Sequence, residues 1–227
     1  MAEPDLQNPS SFITPEIRAT YGYLTNSLWM EGRRPSNEEM AQNTNLPVDT
    51  VKAVLDGLEG LFAIYRDDVV NQVIAAYPVA GIATVHRLVK GSGRIAYSPC
   101  AMDAATIAPT FNQDVDVLSS CRFCGKDVRA SFTGNGSKLA NTSPDGIWLW
   151  LEKREPPDAF FPIVCVNTNF FCTEEHLHIW KEQETLERIG KPISLKESFE
   201  RSDEWCSYKM YKLIMEGRPW GGSALDE

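Results

Sequence analysis

The chain has 227 residues, of which 43% are hydrophobic and 23% are charged, as is typical of a folded globular protein. Its formal net charge of -9 disfavours binding to nucleic acid or to an anionic membrane surface, because both are negatively charged. No apolar run is long enough to cross a bilayer. We therefore expect neither nucleic acid nor a membrane among its partners.

The N-terminal stretch MAEPDLQNPSS is polar and acidic, unlike the basic start and apolar segment of a secretory signal. This composition predicts a cytoplasmic protein with a flexible tail at residues 1–13. In a reducing compartment the six cysteines are expected to be thiols, metal ligands or catalysts rather than disulfides.

Residues 14–80 carry the pattern of three helices followed by a β-hairpin. Thr14 and Pro15 form a helix start, and the capping box SNEE opens the second helix. The stretch FAIYRDDVVNQVIAAYP indicates two strands around a polar turn. These elements predict a winged helix-turn-helix-like domain. Its helices are expected from Pro15 to about Gly32, from Ser36 to Gln42 and from Val48 to Leu58.

The charge of this domain argues against DNA binding. Between Thr14 and Asp68 there are nine acidic and five basic residues. The third helix, which would enter the major groove, carries Asp49 and Asp56 against a single lysine. Phosphate contacts supply most of the affinity for DNA, so we expect a structural or interaction role instead.

Residues 81–227 form a second unit with short strands and two closing helices. The segments ATVHRLVK and GRIAYSP, separated by Gly-Ser-Gly, indicate a hairpin. The predicted fold class is α+β: an N-terminal winged-helix-like three-helix module, then a mixed β-sheet core with flanking helices. Further strands are predicted at Asp127–Thr133, Gly146–Glu152 and Ala159–Phe171. The closing helices are predicted from about Thr173 to Gly190 and from Ser194 to about Gly217.

The stretch AYSPCAMDAA places Cys100 three residues before Asp103. If the chain becomes helical after Pro99, this spacing puts thiol and carboxyl on one helix face. A carboxyl in an apolar setting has a raised pKa, so it can hold a proton near neutral pH and pass it to a reacting atom. From spacing alone, a structural cysteine beside a solvated aspartate is the commoner arrangement.

Cys121 and Cys124 form a Cys-x-x-Cys pair before a glycine, which is half of a zinc knuckle or a redox pair. No second such pair follows. A zinc site completed by Cys172 and His176 is one interpretation, although their spacing does not match a standard second half. The other is a turn whose two thiols pack together or bind metal opportunistically. The sequence leaves metal binding, redox activity and a structural role open.

Cys165 lies in FFPIVCVNTNFFC, which we predict to be a buried strand. Strand alternation would place Ile163, Cys165 and Asn167 on one face. A cysteine in a buried strand usually acts as a small apolar residue. An asparagine on the same face instead indicates a polar site.

The motif Y-x-x-C-A-x-D, formed by Tyr97, Cys100, Ala101 and Asp103, is followed by Cys165 five residues before a Phe-Phe pair. After a winged-helix-like module, this combination resembles the organomercurial lyases (alkylmercury lyases). The resemblance assigns residues 81–227 to an alkylmercury-lyase-like catalytic core.

The resemblance implies a catalytic triad of Cys100, Asp103 and Cys165. The two cysteines would bind the mercury of a small organomercurial, and Asp103 would help transfer a proton to the leaving carbon, with the option of contacting the metal. The products would be a hydrocarbon and Hg(II), which low-molecular-weight thiols or a mercury-handling partner would carry away. No organic cofactor or permanently bound metal is required.

Three neighbours, Tyr97, Pro99 and Asn167, are expected to shape the pocket, while Cys206 is expected to be dispensable for turnover. Two alternatives remain at this stage. One is a non-enzymatic thiol-based protein that binds or senses soft metals. The other is a zinc-stabilised interaction domain.

Overall fold

The structure is a computed structural model that describes residues 12–67, 72–152, 165, 167–183 and 189–218. Its helices and antiparallel sheets form an α+β fold, which confirms the predicted fold class. No helix within these ranges is long and apolar enough to cross a membrane. Residues 1–11 of the predicted tail lie outside them.

The three N-terminal helices form close to their predicted positions, and the first two have the predicted N-caps. The Thr14 hydroxyl accepts a hydrogen bond from the Ile17 N–H at 3.3 Å, and the Ser36 hydroxyl accepts one from the Glu39 N–H at 3.1 Å. The first helix continues into a π-helical turn, Ser27–Glu31, which ends at Gly32. The helices are α1 (Pro15–Asn26), α2 (Asn37–Thr44) and α3 (Val48–Gly60), and they pack against one another.

Helix α3 is joined to the predicted hairpin by ion pairs. The Arg66 guanidinium contacts Asp56 at 2.8 Å and Glu59 at 2.5 Å. Two acidic residues of α3 are therefore engaged within the chain. This use of charge fits a structural role for the helix better than contact with phosphate.

An eight-stranded antiparallel sheet runs through most of the chain. The predicted hairpins are present, as is the strand Asp127–Thr133, whereas three further strands were not predicted: Val79–Ala80, Val115–Ser120 and Lys138–Ser143. The strands are β1 (Ile64–Arg66), β2 (Val73–Ala76), β3 (Val79–Ala80), β4 (His86–Lys90), β5 (Ile95–Ser98), β6 (Val115–Ser120), β7 (Asp127–Thr133) and β8 (Lys138–Ser143). Their spatial order is β1-β2-β3-β5-β4-β6-β7-β8.

The short strand β3 joins the two halves of this sheet. Ala75 of β2 pairs with Ala80 of β3, which in turn pairs with Tyr97 of β5. The first hairpin and the following strands therefore belong to one sheet. The proposed domain boundary at residue 80 stays a prediction.

A second sheet has three strands, in the order β10-β9-β11. They are β9 (Trp148–Glu152), β10 (Phe170–Phe171) and β11 (Gly190–Ser194). Strand β11 was not predicted: the helix expected to continue to Gly190 is α5 (Glu174–Gln183), and residues 184–188 lie outside the described ranges. A Cβ at Gly190 would lie 2.2 Å from the Leu151 carbonyl oxygen, so glycine permits the close strand pairing.

The predicted strand Ala159–Phe171 is confirmed only at its end and is wrong at Cys165 and Asn167. Cys165 and Asn167 have helical conformation, and only Phe170–Phe171 is a strand. The rest, residues 159–164 and 166, lies outside the described ranges. The alternating-face argument for Cys165 and Asn167 therefore does not apply, because alternation requires extended backbone.

The last predicted helix is interrupted. It divides into α6 (Leu195–Glu200), a 3₁₀ turn (Ser202–Glu204) and α7 (Cys206–Glu216), with an extended residue, Trp205, before α7. The Trp205 side chain is fully buried, and its indole N–H donates to the Ser198 carbonyl at 2.9 Å. Burial of this large aromatic ring stabilises the break and directs the start of α7 inward.

Candidate active site

Cys100 lies between strand β5 and helix α4 (Ala101–Phe111), where it forms the helix N-cap. Its sulfur accepts a hydrogen bond from the Asp103 N–H at 3.4 Å, and its thiol donates to Asp103 Oδ2 at 3.1 Å. The helix start thus orients both side chains toward each other. This bears out the conditional expectation that the chain becomes helical after Pro99 and places thiol and carboxyl together.

Cys165 approaches the same point from a distant part of the chain. The reactive atoms of Cys100, Asp103 and Cys165 all lie within 4.8 Å of one another, and all three residues are buried. The Ala101 N–H donates to the Thr168 carbonyl at 3.1 Å. This backbone hydrogen bond joins the start of α4 to the segment that carries Cys165.

Tyr77, which the sequence did not single out, contacts this group. Its hydroxyl lies 3.6 Å from Cys165 Sγ, within the range of a weak hydrogen bond to sulfur. The Tyr77 carbonyl accepts a hydrogen bond from the Tyr21 hydroxyl of α1. A residue from the N-terminal hairpin region is therefore held against the Cys165 thiol by a side chain of the first helix.

The buried setting raises the pKa of both the Asp103 carboxyl and the Cys100 thiol. Burial raises the pKa of Asp103 to about 6, although hydrogen bonds from Ser207 and Cys100 oppose the rise. Burial, with Cys165 and Asp103 nearby, raises the pKa of the Cys100 thiol well above its usual range. At neutral pH the pair therefore consists mainly of a thiol hydrogen-bonded to a carboxylate.

A small cavity of about 40 Å³ adjoins these groups. This volume has room for only a few water-sized groups. Three of its residues come from the restart of the last helix: Trp205 precedes α7, and Cys206 and Ser207 are in its first turn. The described residues that line it are Tyr77, Cys100, Met102, Asp103, Leu151, Glu152, Cys165, Thr168, Trp205, Cys206 and Ser207.

The three residues expected to shape the pocket are not among the described residues that line it. Tyr97 is in strand β5, where alternation gives it the opposite orientation from the buried Ala96 and Ser98. Pro99 and Asn167 are each partly exposed next to a cavity residue. Their role in shaping the pocket stays a prediction with no support from the cavity lining.

Cys206, unlike those three residues, lines the cavity. It was expected to be dispensable for turnover, but it is buried and lines the cavity. A Cys206 variant therefore cannot serve as a neutral control for turnover. No capping side chain marks this restart in the sequence, because the N-cap of α7 is Trp205, whose side chain makes no cap hydrogen bond.

The model of the MerB family, described as alkylmercury lyase, matches residues 82–207, more than half of the chain. The chain belongs to the alkylmercury lyase family. The predicted resemblance and the prediction of an enzyme of this family are therefore confirmed. The match spans Cys100, Asp103 and Cys165, and it does not by itself assign their roles.

Individual relatives agree with this assignment. The alkylmercury lyase of Bacillus cereus is 23% identical over 195 residues, which cover 86% of this chain and 82% of that protein. That of Clostridium butyricum is 23% identical over 192 residues, which cover 85% and 81%. A crystal structure titled as the mercury-bound form of MerB2 shares the fold, with a TM-score of 0.69, 22% identity and coverage of 85% of this chain and 91% of that one.

Apart from Cys100, Asp103 and Cys165, this member of the alkylmercury lyase family has a second group of cysteine and histidine side chains that lie close together. We call it the outer cluster. Its ligand atoms are all within 4.8 Å of one another, which brings together the residues that the zinc interpretation had combined. The outer cluster consists of Cys121, Cys124, Cys172 and His176.

Replacing Asp103 by Asn is expected to stabilise the chain at neutral pH. The pKa of Asp103 rises from 3.8 to about 6 on folding, so the wild-type chain loses stability as pH rises between these values. We expect the variant to gain up to about 3 kcal/mol in free energy of unfolding above pH 7, and to lose this advantage below about pH 4. Urea unfolding across this pH range measures the difference.

The exposed Asp116 of strand β6 provides the matched control. Its Asn variant should follow the wild-type pH profile. A stabilisation of Asp103→Asn that does not change with pH would contradict the role of the buried carboxyl.

Proposed function

We propose that this chain cleaves the carbon–mercury bond of small organomercurials by protonolysis, with Cys100, Asp103 and Cys165 as the catalytic residues. The observation that carries the proposal is the meeting of two thiol sulfurs and one carboxyl oxygen within 4.8 Å in a buried site. A protein that only binds a soft metal needs the sulfurs. It has little use for a buried carboxyl of raised pKa.

The two thiols provide the mercury ligands. Mercury is a soft cation, and thiolates are the soft ligands that proteins offer. The substrate enters as R–Hg⁺ carried by a thiol or another exchangeable ligand. Cys100 binds mercury through sulfur, and its thiol proton passes to the Asp103 carboxylate along the existing 3.1 Å hydrogen bond.

Cys165 then displaces the carrier ligand and supplies the second sulfur, and its proton leaves with that ligand. Two sulfur donors raise the electron density at mercury and polarise the carbon–mercury bond toward carbon. Asp103 returns its proton to that carbon as the bond breaks, so the bonding electron pair stays with carbon. The overall change is R–Hg⁺ and two thiols giving R–H, a Hg(II) dithiolate and one proton, with no net oxidation or reduction.

The small cavity sets limits on the substrate in this conformation. A volume of about 40 Å³ accommodates a group the size of methyl more readily than a large aryl group. Exclusion of water favours an apolar organic group and keeps the proton on Asp103 until carbon accepts it. We therefore infer a preference for methylmercury over bulky organomercurials.

Release of Hg(II) needs further thiols, because two cysteine sulfurs hold the ion tightly. We propose that low-molecular-weight thiols or a mercury-handling partner remove it, and that no organic cofactor takes part. The mercury-bound state named for the similar solved structure supports Hg(II) as the bound product. A reaction that destroys organomercurials would serve mercury detoxification, and a cytoplasmic location would supply the reducing thiols.

Headspace gas analysis tests the proposal. Purified chain with methylmercury and excess thiol is expected to release methane catalytically, and phenylmercury to release benzene. The same chain unfolded in denaturant is the control, because it offers identical thiols without the site. Tight mercury binding without hydrocarbon release would instead support the non-enzymatic soft-metal binder.

A further inference from the structure

The outer cluster is assembled from three separate elements. Cys121 and Cys124 lie in the turn between β6 and β7, Cys172 follows β10, and His176 is in the first turn of α5. The Arg122 N–H donates to the Phe170 carbonyl at 2.9 Å and so joins the turn to β10. The large sheet, the small sheet and a helix therefore meet at these four side chains.

The distances match the edges of a metal tetrahedron. Zinc bonds of about 2.3 Å to sulfur and 2.0 Å to nitrogen separate two sulfurs by about 3.8 Å, and sulfur from nitrogen by about 3.6 Å. Here the Cys124 and Cys172 sulfurs are 3.6 Å apart. The His176 Nδ1 atom lies 3.9 Å from the Cys121 sulfur and 3.0 Å from the Cys172 sulfur. Small adjustments of side chains would place all four ligands around one ion.

The backbone around Cys121 is also arranged for a thiolate. N–H groups of Phe123, Cys124 and Cys172 donate toward its sulfur. Gly125 adopts a positive φ of 72°, and its N–H donates to the Cys121 carbonyl at 2.9 Å, which closes the turn. Such N–H donors stabilise the negative charge of a metal-bound sulfur.

We propose that the outer cluster binds one zinc ion as a structural site. Three thiolates and one imidazole in tetrahedral arrangement are a ligand set of closed structural zinc sites. The four protein ligands leave no open position for a substrate. This site uses none of the three catalytic-site residues, so zinc binding and lyase activity are compatible in one chain.

The ion would fix the segment that leads from the active site. Thr168 lines the cavity and is bonded to the start of α4, and Cys172 lies a few residues further along the same segment. Zinc at Cys172 would tie that segment to the β6–β7 turn and to α5. The inferred role is to hold the Cys165 segment against α4 without touching the substrate.

Metal analysis of the chain tests this inference without any organomercurial. Protein purified with reductant and dialysed against a weak chelator is expected to retain about one zinc per chain. Cys124→Ser should lose it, whereas Cys100→Ser should keep it although its turnover is lost. Cys124 is exposed, so its replacement by the slightly smaller serine disturbs little packing.

Cobalt substitution provides a readout that does not depend on a variant. Wild-type chain with cobalt in place of zinc is expected to show thiolate-to-cobalt absorption and the visible bands of tetrahedral cobalt. A wild-type chain that holds no zinc under reducing conditions, or a Cys124→Ser variant that holds as much as wild type, would overturn the inference. So would a Cys124–Cys172 disulfide as the only form of the isolated protein. Each of these results leaves the hydrocarbon assay unaffected, so the two proposals fail separately.

Discussion

Replacing Cys165 by Ser is expected to lower the turnover of methylmercury by about 10³-fold or more. Serine has nearly the shape of cysteine, but its hydroxyl is a hard, weakly acidic ligand that mercury does not prefer. With Cys100 alone, mercury keeps a single protein sulfur, and the carbon–mercury bond is not sufficiently polarised for protonation. Methane release per chain under excess thiol measures the effect.

Cys100→Ser should show a similar loss for the same reason. The fold should survive this change, since serine is among the preferred N-cap residues for helix α4. Asp116→Asn serves as control: this exposed residue of β6 does not line the cavity, so activity close to wild type is expected. Full activity of Cys165→Ser would show that the residue assignment is wrong.

Asp103→Asn is expected to lower turnover by about 10²- to 10³-fold while leaving mercury binding intact. Asparagine fills the same space and can still accept the Cys100 thiol hydrogen bond, but it cannot take the proton and return it to carbon. Mercury stoichiometry by metal analysis should therefore equal that of wild type, whereas single-turnover hydrocarbon release becomes slow. This separation distinguishes proton transfer from metal binding.

The pH profile gives an independent check on the same group. In the free enzyme Asp103 must be ionised to accept the thiol proton, and its pKa is about 6. Wild-type kcat/KM should therefore fall as pH decreases through about 6. The acid limb should be absent in Asp103→Asn. An unchanged limb in the variant would assign the titration to another group.

The predictable part of the site is the local part. Cys100 and Asp103 are adjacent on a helix start, and three-residue spacing after a proline is visible in the sequence. The pairing with Cys165 followed only from the family resemblance, because its backbone is helical rather than extended and its contacts are long-range. Strand periodicity therefore led to a wrong account of that segment.

The missed residues depend on tertiary contacts. Tyr77 reaches Cys165 from the turn after β2, and Ser207 reaches Asp103 only because the chain breaks before α7. The same applies to β11, whose hydrogen-bonding partner β9 is far away in sequence. Capping residues predicted helix starts well, since a cap interacts within its own turn. Sheet partners and cavity walls have no such local signal.

The outer cluster is likewise predictable only where its residues are close in sequence. Its Cys-x-x-Cys half is a local motif, whereas Cys172 and His176 come close to it only through the pairing of β10 with β9 and the start of α5. Their four-residue spacing alone did not resemble a standard second half. The proximity of the four side chains in the fold supports the zinc interpretation, and the four residues are the ones that the sequence had combined.

Because the large sheet continues through β3, the segment matched by the family model, residues 82–207, contains only part of that sheet. A fragment limited to residues 82–207 would leave the edge of β5 unpaired and would lack the tyrosine hydroxyl beside Cys165. It would also lose most of α7, which packs on α1 and α4. The N-terminal helices therefore support one wall of the cavity beside Cys165, so that wall depends on residues outside the segment matched by the family model.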